Sequence, residues 1–305
     1  MTHSSSIEPN PAAIGRVPSP PLARLPDPGR LFEARRARLE FLAQTSELAP
    51  YLRFVAGIAA AQGAIQNGLP EPELPPPDVL DRAREFHMPP LDRNQVELGD
   101  VVSETLNRLF DAVSSVAKPA EAQAALERVK EAAPDQMHGM MRDVLADAIP
   151  ADAIAEHVYV AAGLQVHFAR LAAKLEKDKL SRISDGACPC CGGPPVSSLV
   201  VGWMEAEGTR YCSCSLCGTL WNVVRVKCVL CSSLKGIGYQ EIEGGAGTIK
   251  AECCDNCRSY VKILYQQKDA ALDPVADDIA SLGLDILLRD GDYRRGSFNP
   301  FLLGV

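Results

Sequence analysis

Apolar residues recur at helical spacing along the first half of the chain. The clearest stripe lies between residues 150 and 177, where it consists of Val160, Leu164, Phe168, Leu171 and Leu175. Similar patterns predict five more helices, two of them between residues 30 and 68 and the others at 98–117, 119–132 and 134–148. Residues 30–183 are therefore predicted to form an all-α domain of about six helices.

Two proline-rich segments interrupt this pattern. Residues 1–29 contain seven prolines and little apolar periodicity, which predicts a flexible arm without a packed core. Residues 69–77, LPEPELPPP, predict an exposed connection, because proline cannot continue a helix.

The pattern changes after residues 184–186. Short runs rich in β-branched and aromatic residues follow, and they predict strands in VSSLVVGWM, WNVVRV, GTIKAE and YVKILY. A last helix is predicted in DPVADDIASLGLDILLRD, with a short tail after it.

The same region holds all eleven cysteines of the chain, which lie between residues 188 and 257. Eight of them form four C-x2-C pairs, and the pairs at 188/191 and 214/217 recur 40 residues later at 228/231 and 254/257. This offset indicates an internal duplication of a C-x2-C-x22-C-x2-C unit, the spacing of zinc ribbons and rubredoxins.

Two tight turns that face each other can place four thiolates around one metal ion. The first predicted site consists of Cys188, Cys191, Cys214 and Cys217. The second consists of Cys228, Cys231, Cys254 and Cys257. Zinc and iron both suit four thiolates, and the ligand set leaves the choice open.

Because cysteine fills all four positions of each site, no position is left for a catalytic water. A structural role for the metals is expected, and no enzymatic activity is predicted. Gly192 and Gly218 follow the second cysteine of their pairs, where a tight turn favours glycine, whereas Ser232 and Arg258 stand there in the second unit. The remaining Cys190, Cys212 and Cys253 are interpreted as small apolar fillers rather than redox groups.

These patterns predict an α+β protein, with the helical domain followed by two tandem rubredoxin-like (zinc-ribbon-like) β units. The predicted boundaries are 1–29 for the arm, 30–183 for the helical domain, 184–226 and 227–267 for the two metal units, and 268–305 for the C-terminal helix and tail.

Charge and hydropathy restrict the partners and the location. The chain carries a net charge of -8, and residues 185–267 contain seven basic and seven acidic residues, so nucleic-acid binding is not expected. The chain shows no signal-peptide pattern and no apolar run of membrane-spanning length, which predicts a cytoplasmic protein without a membrane span. The basic cluster Arg30, Arg35, Arg36 and Arg38 is interpreted as a solvated helix face.

Several separated motifs resemble one family, the formate dehydrogenase accessory protein FdhE. They are PYLRFVAGIAAAQ, CPCCGG, CSLCGTLWNVVRVKC, CCDNCRSYVKILYQQKD and VADDIASLGLD, in this order along most of the chain. The family's eight motif cysteines map onto the two predicted sites. Cys190, Cys212 and Cys253 are not part of that motif.

The resemblance implies a cytoplasmic, non-enzymatic factor that is required for the activity of respiratory formate dehydrogenases. It also implies contact with their catalytic subunit before export, and iron in the two rubredoxin-like sites. Two alternatives stay open: a redox protein that transfers electrons through four-cysteine iron sites and, less favoured by the charge count, a zinc-ribbon adaptor for nucleic acid.

Overall fold

Helices form the first half of the molecule in the computed structural model, which describes residues 19–302. They are α1 (Pro28–Leu42), α2 (Ala49–Ala64), α3 (Pro77–Glu85), α4 (Asp100–Val113), α5 (Ala120–Glu131), α6 (Pro134–Leu145) and α7 (Ile154–Ala173), with 3-10 turns at Ile65–Gly68 and Lys177–Lys179. No helix among these described residues is long and apolar enough to cross a membrane.

Helix α7 lies at the centre of the helical part. It contacts α1, α2, α4, α5 and α6, and its stripe residues Val160, Leu164 and Phe168 are fully buried. A helix that is apolar on most sides can be stable only when other helices surround it. The predicted apolar stripe is therefore the axis around which the domain packs.

Strands dominate the second half. They are β1 (Ala23–Arg24), β2 (Pro195–Val200), β3 (Arg210–Cys214), β4 (Leu220–Val223), β5 (Ile237–Gln240), β6 (Ile249–Cys254), β7 (Ser259–Tyr265) and β8 (Arg294–Arg295). The order in the sheet is β1-β4-β3-β2-β7-β6-β5, and β8 pairs with β7. The two cysteine units each supply three consecutive antiparallel strands, as their duplication predicts.

The two units are joined into one sheet. Strand β2 of the first unit pairs in parallel with β7 of the second, in the register Ser198 to Ile263. A buried ion pair reinforces this junction, since Arg210 Nη1 lies 2.7 Å from Glu252 Oε2. The predicted α+β class with two rubredoxin-like units is confirmed, but the units are halves of a continuous sheet rather than separate modules.

The C-terminal segment packs back onto the sheet. The single helix predicted there is two helices, α8 (Ala276–Ala280) and α9 (Leu282–Arg289), which meet at Ser281. The Ser281 hydroxyl donates to the carbonyl of Asp277, and the Lys262 ammonium donates to that hydroxyl and to the Ser281 carbonyl. These competing hydrogen bonds replace part of the helical ladder, which accounts for the interruption.

Of the two proline-rich segments, the first differs from its predicted structure and the second forms a connection as predicted. The predicted flexible arm 1–29 is ordered in part, because Ala23 and Arg24 pair with Trp221 and Leu220 and α1 begins at Pro28. Residues 1–18 of that arm lie outside the described residues. The second segment ends where α3 begins. Pro77 lies in the first turn of that helix, where a backbone N–H would have no partner within the helix, so the missing N–H of proline costs no hydrogen bond.

Candidate metal centres

The first four-cysteine group lies where β3 and two tight turns meet. Its Sγ atoms, from Cys188, Cys191, Cys214 and Cys217, all lie within 4.8 Å of one another. The Cys191–Cys214 distance is 3.4 Å, and the Cys188–Cys217 and Cys191–Cys217 distances are 3.6 Å. A tetrahedron of sulfur atoms about 2.3 Å from a metal has edges of about 3.8 Å, so the donor set fits one tetrahedral ion.

The second group repeats this arrangement. Its members Cys228, Cys231, Cys254 and Cys257 also lie within 4.8 Å of one another. The Sγ atoms of Cys228 and Cys257 are 3.7 Å apart, and those of Cys231 and Cys254 are 3.6 Å apart. The structure thus brings the eight predicted cysteines together in the two predicted sets, each of which could hold a metal ion.

Each C-x2-C turn places one residue in the left-handed region. The residue after the second cysteine has φ of +75° at Gly192, +74° at Gly218, +60° at Ser232 and +53° at Arg258. Glycine adopts this conformation without a steric penalty, while other residues pay about 1–2 kcal/mol. The turns of the second group are therefore strained in the way that the sequence indicated.

Different donors reach the sulfur atoms of the two groups. The backbone amides of Leu216 and Cys217 donate to Cys214 Sγ at 3.4 Å each. In the second group the side-chain amide of Asn256 donates to Cys231 Sγ at 3.4 Å and lowers the pKa of that thiol to about 6. Asn256 stands 40 residues after Leu216, at the equivalent position of the repeat.

The two groups also differ in burial. All four cysteines of the first group are at most 2% exposed, and they belong to the same apolar core as the helical domain. The chain after α3 covers them, where the amide of Leu91 donates to the Cys190 carbonyl at 2.8 Å. In the second group, by contrast, Cys231 and Cys257 are partly exposed.

The three other cysteines lie in the interior of the sheet region. Burial raises the pKa of the Cys212 thiol to about 12 and that of Cys253 to about 11, so both remain protonated at neutral pH. Cys190 is also buried, with its Sγ 3.3 Å from the Thr219 hydroxyl. These surroundings favour the interpretation of the three as apolar fillers, since a reactive cysteine requires a thiolate.

Three family models together match almost the whole chain. They are described as the FdhE N-terminal region, the FdhE central domain and the FdhE C-terminal domain, and they match residues 20–185, 187–225 and 226–302. The chain belongs to the FdhE family. The resemblance found in the sequence is confirmed, and this family is one of formate dehydrogenase maturation factors.

Individual FdhE proteins are similar over nearly their full length. A protein FdhE homolog from Rhizobium meliloti (strain 1021) is 49% identical over 302 residues, with 98% of this chain and 99% of that protein covered. Protein FdhE from Escherichia coli (strain SMS-3-5 / SECEC) is 34% identical, with 93% and 91% covered. The crystal structure of the FdhE protein from Pseudomonas aeruginosa has a TM-score of 0.83 and 33% identity, covering 93% of this chain and 99% of that one.

The aspartates of the FdhE-like motif VADDIASLGLD have a role that the sequence did not show. Asp278 and Asp285 are fully buried and form a closed ion network with Lys262 and Arg295. Two positive and two negative groups balance each other there, as buried charges require. The network fastens α8 and α9 to β7 beside the second group. Charged residues within an otherwise apolar helix were the signal that could have indicated it.

The basic cluster on α1 is not a solvated face as a whole. Arg35 is buried and donates to Gln165 Oε1 at 3.2 Å, and Arg38 forms a bidentate pair with the buried Asp277. Two of the four match the prediction: Arg30 is exposed, and Arg36 pairs with Glu33 and Glu40, which are exposed on the same helix. Ion pairs to residues more than 200 positions away cannot be read from local sequence.

Proposed function

We propose that this protein is a non-enzymatic accessory factor that binds the catalytic subunit of a respiratory formate dehydrogenase in the cytoplasm before export. Membership of the FdhE family supports the link to formate dehydrogenase maturation. The eleven cysteines, none of which forms a disulfide, suit a reducing compartment. The observation that carries the proposal is the pair of closed four-cysteine groups, whose donor sets leave no position for a catalytic water.

The eight cysteines are proposed as ligands of two metal ions, one in residues 184–226 and one in residues 227–267. Iron is favoured by the resemblance, and zinc suits the same donors. The sulfur distances of 3.4–3.7 Å support tetrahedral coordination in both groups. When bound, such an ion supplies a cross-link between two turns that have little apolar core of their own.

A rubredoxin-like redox protein is the second candidate. The partial exposure of Cys231 and Cys257 favours it, because an electron-transfer site must lie near the surface. It requires iron, and it predicts a visible absorption band that bleaches on reduction and returns on oxidation. An accessory role alone requires no such cycle.

Binding of the purified catalytic subunit tests the proposal directly. The protein, loaded with metal under anaerobic conditions, should form a complex with the subunit that survives gel filtration, and a strain that lacks the protein should lose formate dehydrogenase activity. The Cys254→Ser/Cys257→Ser variant reports whether the second group is needed. If the wild-type protein forms no complex and the deletion strain keeps full activity, the accessory role is refuted.

A further inference from the structure

The second four-cysteine group lies at the wall of an open cavity of about 540 Å³. The cavity is lined by Cys257 itself and by residues of the turn around it, of α9 and of the segment before β8. Three arginines at its rim, Arg258, Arg289 and Arg294, are exposed. A molecule that enters this cavity therefore comes directly against a candidate metal ligand.

The rim is basic in a protein whose net charge is -8. Arg258 lies 3.8 Å from the exposed Asp292, a distance at which such a pair contributes little. Neither Arg289 nor Arg294 forms a salt bridge within residues 19–302. Guanidinium groups bind carboxylates through paired hydrogen bonds, so the rim can hold an anionic ligand next to Cys257.

Asn256 distinguishes the second group from the first at the sulfur atoms. Its amide donates to Cys231 Sγ, whereas the equivalent Leu216 is 7% exposed and covers the first group with an apolar side chain. A hydrogen bond to a thiolate withdraws electron density from the sulfur and weakens its bond to a metal. Backbone amides also donate to Cys214 in the first group, but that sulfur is buried, so among these two sulfur atoms only Cys231 combines a donor with exposure, and this combination favours its release.

We infer that the second group is the exchange site of the protein, where an anionic metal ligand of a donor or acceptor enters through the arginine-lined cavity, and that Asn256 is a positioning residue for Cys231. In the exchange step, the incoming carboxylate or thiolate enters beside Cys257 and forms one bond to the metal while the bond to Cys231 Sγ, the sulfur that accepts from Asn256, breaks. Each side keeps its electron pair, so the oxidation state does not change. The inference rests on the proposed metal binding, and it assigns the first group a permanent, structural ion.

Competition with a chelator tests this assignment. The full-length protein, loaded with two equivalents of Zn²⁺, is mixed with excess EDTA, and its zinc content is measured after rapid desalting. We expect one equivalent to leave at least tenfold faster than the other. In the Cys228→Ser/Cys231→Ser variant, the fast equivalent should be missing and the slow one kept.

Equal release rates for the two equivalents, or loss of the slow equivalent in that variant, would overturn the inference. If the wild-type protein binds no metal, the proposed metal sites fail instead, so the two failures are distinguishable. If the variant keeps the slowly released zinc ion, this also shows that the rest of the molecule has folded.

Two chelators of different charge test the arginine rim. The Arg289→Gln/Arg294→Gln variant should release the fast zinc several-fold more slowly to the anionic EDTA, and at an unchanged rate to the neutral 1,10-phenanthroline. The matched control is Arg82→Gln/Arg84→Gln on α3, which removes the same charge from a helix that does not line the cavity and should leave both rates unchanged. Equal effects of the rim variant on both chelators contradict the proposed role of the rim.

Asn256 is tested with a spectroscopic signal of the thiolates. In the Co²⁺-loaded protein, Asn256→Ala and Asn256→Leu both remove the donor, so the thiolate-to-cobalt absorption band should move to longer wavelength in both. Asn256→Leu, which copies Leu216, should also slow the fast release several-fold. An unshifted band in both variants would show that the amide does not act on Cys231.

Discussion

The two cysteine units share a duplicated sequence pattern, yet their surroundings stabilise them differently. The first unit lies under the helical domain, and its four cysteines belong to one apolar core with α2, α4 and α7. The second unit is open at two of its cysteines and is supported by an ion network of Lys262, Arg295, Asp278 and Asp285. One metal-binding pattern can therefore serve as part of a core or as an accessible surface site.

Replacement of a cysteine pair should show the largest difference in stability between the two units. Cys214→Ser/Cys217→Ser should lose the first metal and, because these side chains are part of the shared core, loosen the helical domain as well. Structural zinc contributes on the order of 10 kcal/mol to small domains, so we expect the largest loss of stability here. Hydrogen exchange of the α7 amides, together with the metal content, measures it.

The matched variant is Cys254→Ser/Cys257→Ser in the second unit. It should lose one metal while α7 keeps its protection, since neither cysteine belongs to the apolar core that contains α7. Equal loss of protection in both variants would show that the two units are equivalent in energy.

The second largest effect is expected at Lys262. Its ammonium is fully buried and lies 3.2 Å from Asp278 and 2.5 Å from Asp285. Lys262→Met leaves an uncompensated negative charge inside the protein, which costs about 3–5 kcal/mol. Urea unfolding should show this loss, and Lys262→Met/Asp285→Asn should recover part of it because the remaining Arg295 and Asp278 balance each other.

The first unit offers the control. Asn222 stands 40 residues before Lys262, and its side-chain amide donates to the carbonyl of Arg210 at 3.2 Å. Asn222→Leu loses only this neutral hydrogen bond, worth about 1 kcal/mol. A loss at Asn222 as large as that at Lys262 would contradict the view that only the second unit depends on buried charge.

Much of this difference between the two units could not be predicted from the sequence. The spacing of the cysteines predicted both ligand sets, and the helical stripe predicted α7, because both signals are local and periodic. The parallel pairing of β2 with β7 and the contact of Arg210 with Glu252 join residues that are far apart in sequence. No local pattern specifies such pairs, and a sequence of two similar units does not show which of them the helices cover.

Acid should weaken the helical cover of the first unit through His167. His167 on α7 is 6% exposed, and burial together with the charge of Arg170 lowers its pKa to about 4. The unfolded chain has a His pKa near 6.5, so folding favours the neutral ring. The stability that this provides is complete above pH 6.5 and is lost as the pH falls toward 4.

The difference between these folded and unfolded pKa values corresponds to about 3 kcal/mol at most. Urea unfolding between pH 7 and pH 5 should show part of this loss in the wild-type protein, and a smaller one in His167→Phe. Because lower pH also protonates thiolates, the difference between these two proteins is the relevant quantity. Parallel pH profiles for both would exclude His167 as the cause.

The smallest expected effect lies in the turns. Arg258 adopts φ of +53° after Cys257, so Arg258→Gly should relieve about 1 kcal/mol of strain, reduced by the greater freedom of glycine in the unfolded chain. Gly218→Ala should have the opposite effect, because φ is +74° there and the added Cβ would lie 2.8 Å from Leu31 Cδ2 on α1. Hydrogen exchange in β6 and β7 for the first variant, and in β3 and β4 for the second, measures the two changes. If Arg258→Gly weakens protection as much as Gly218→Ala does, then the left-handed turn at Arg258 is not strained.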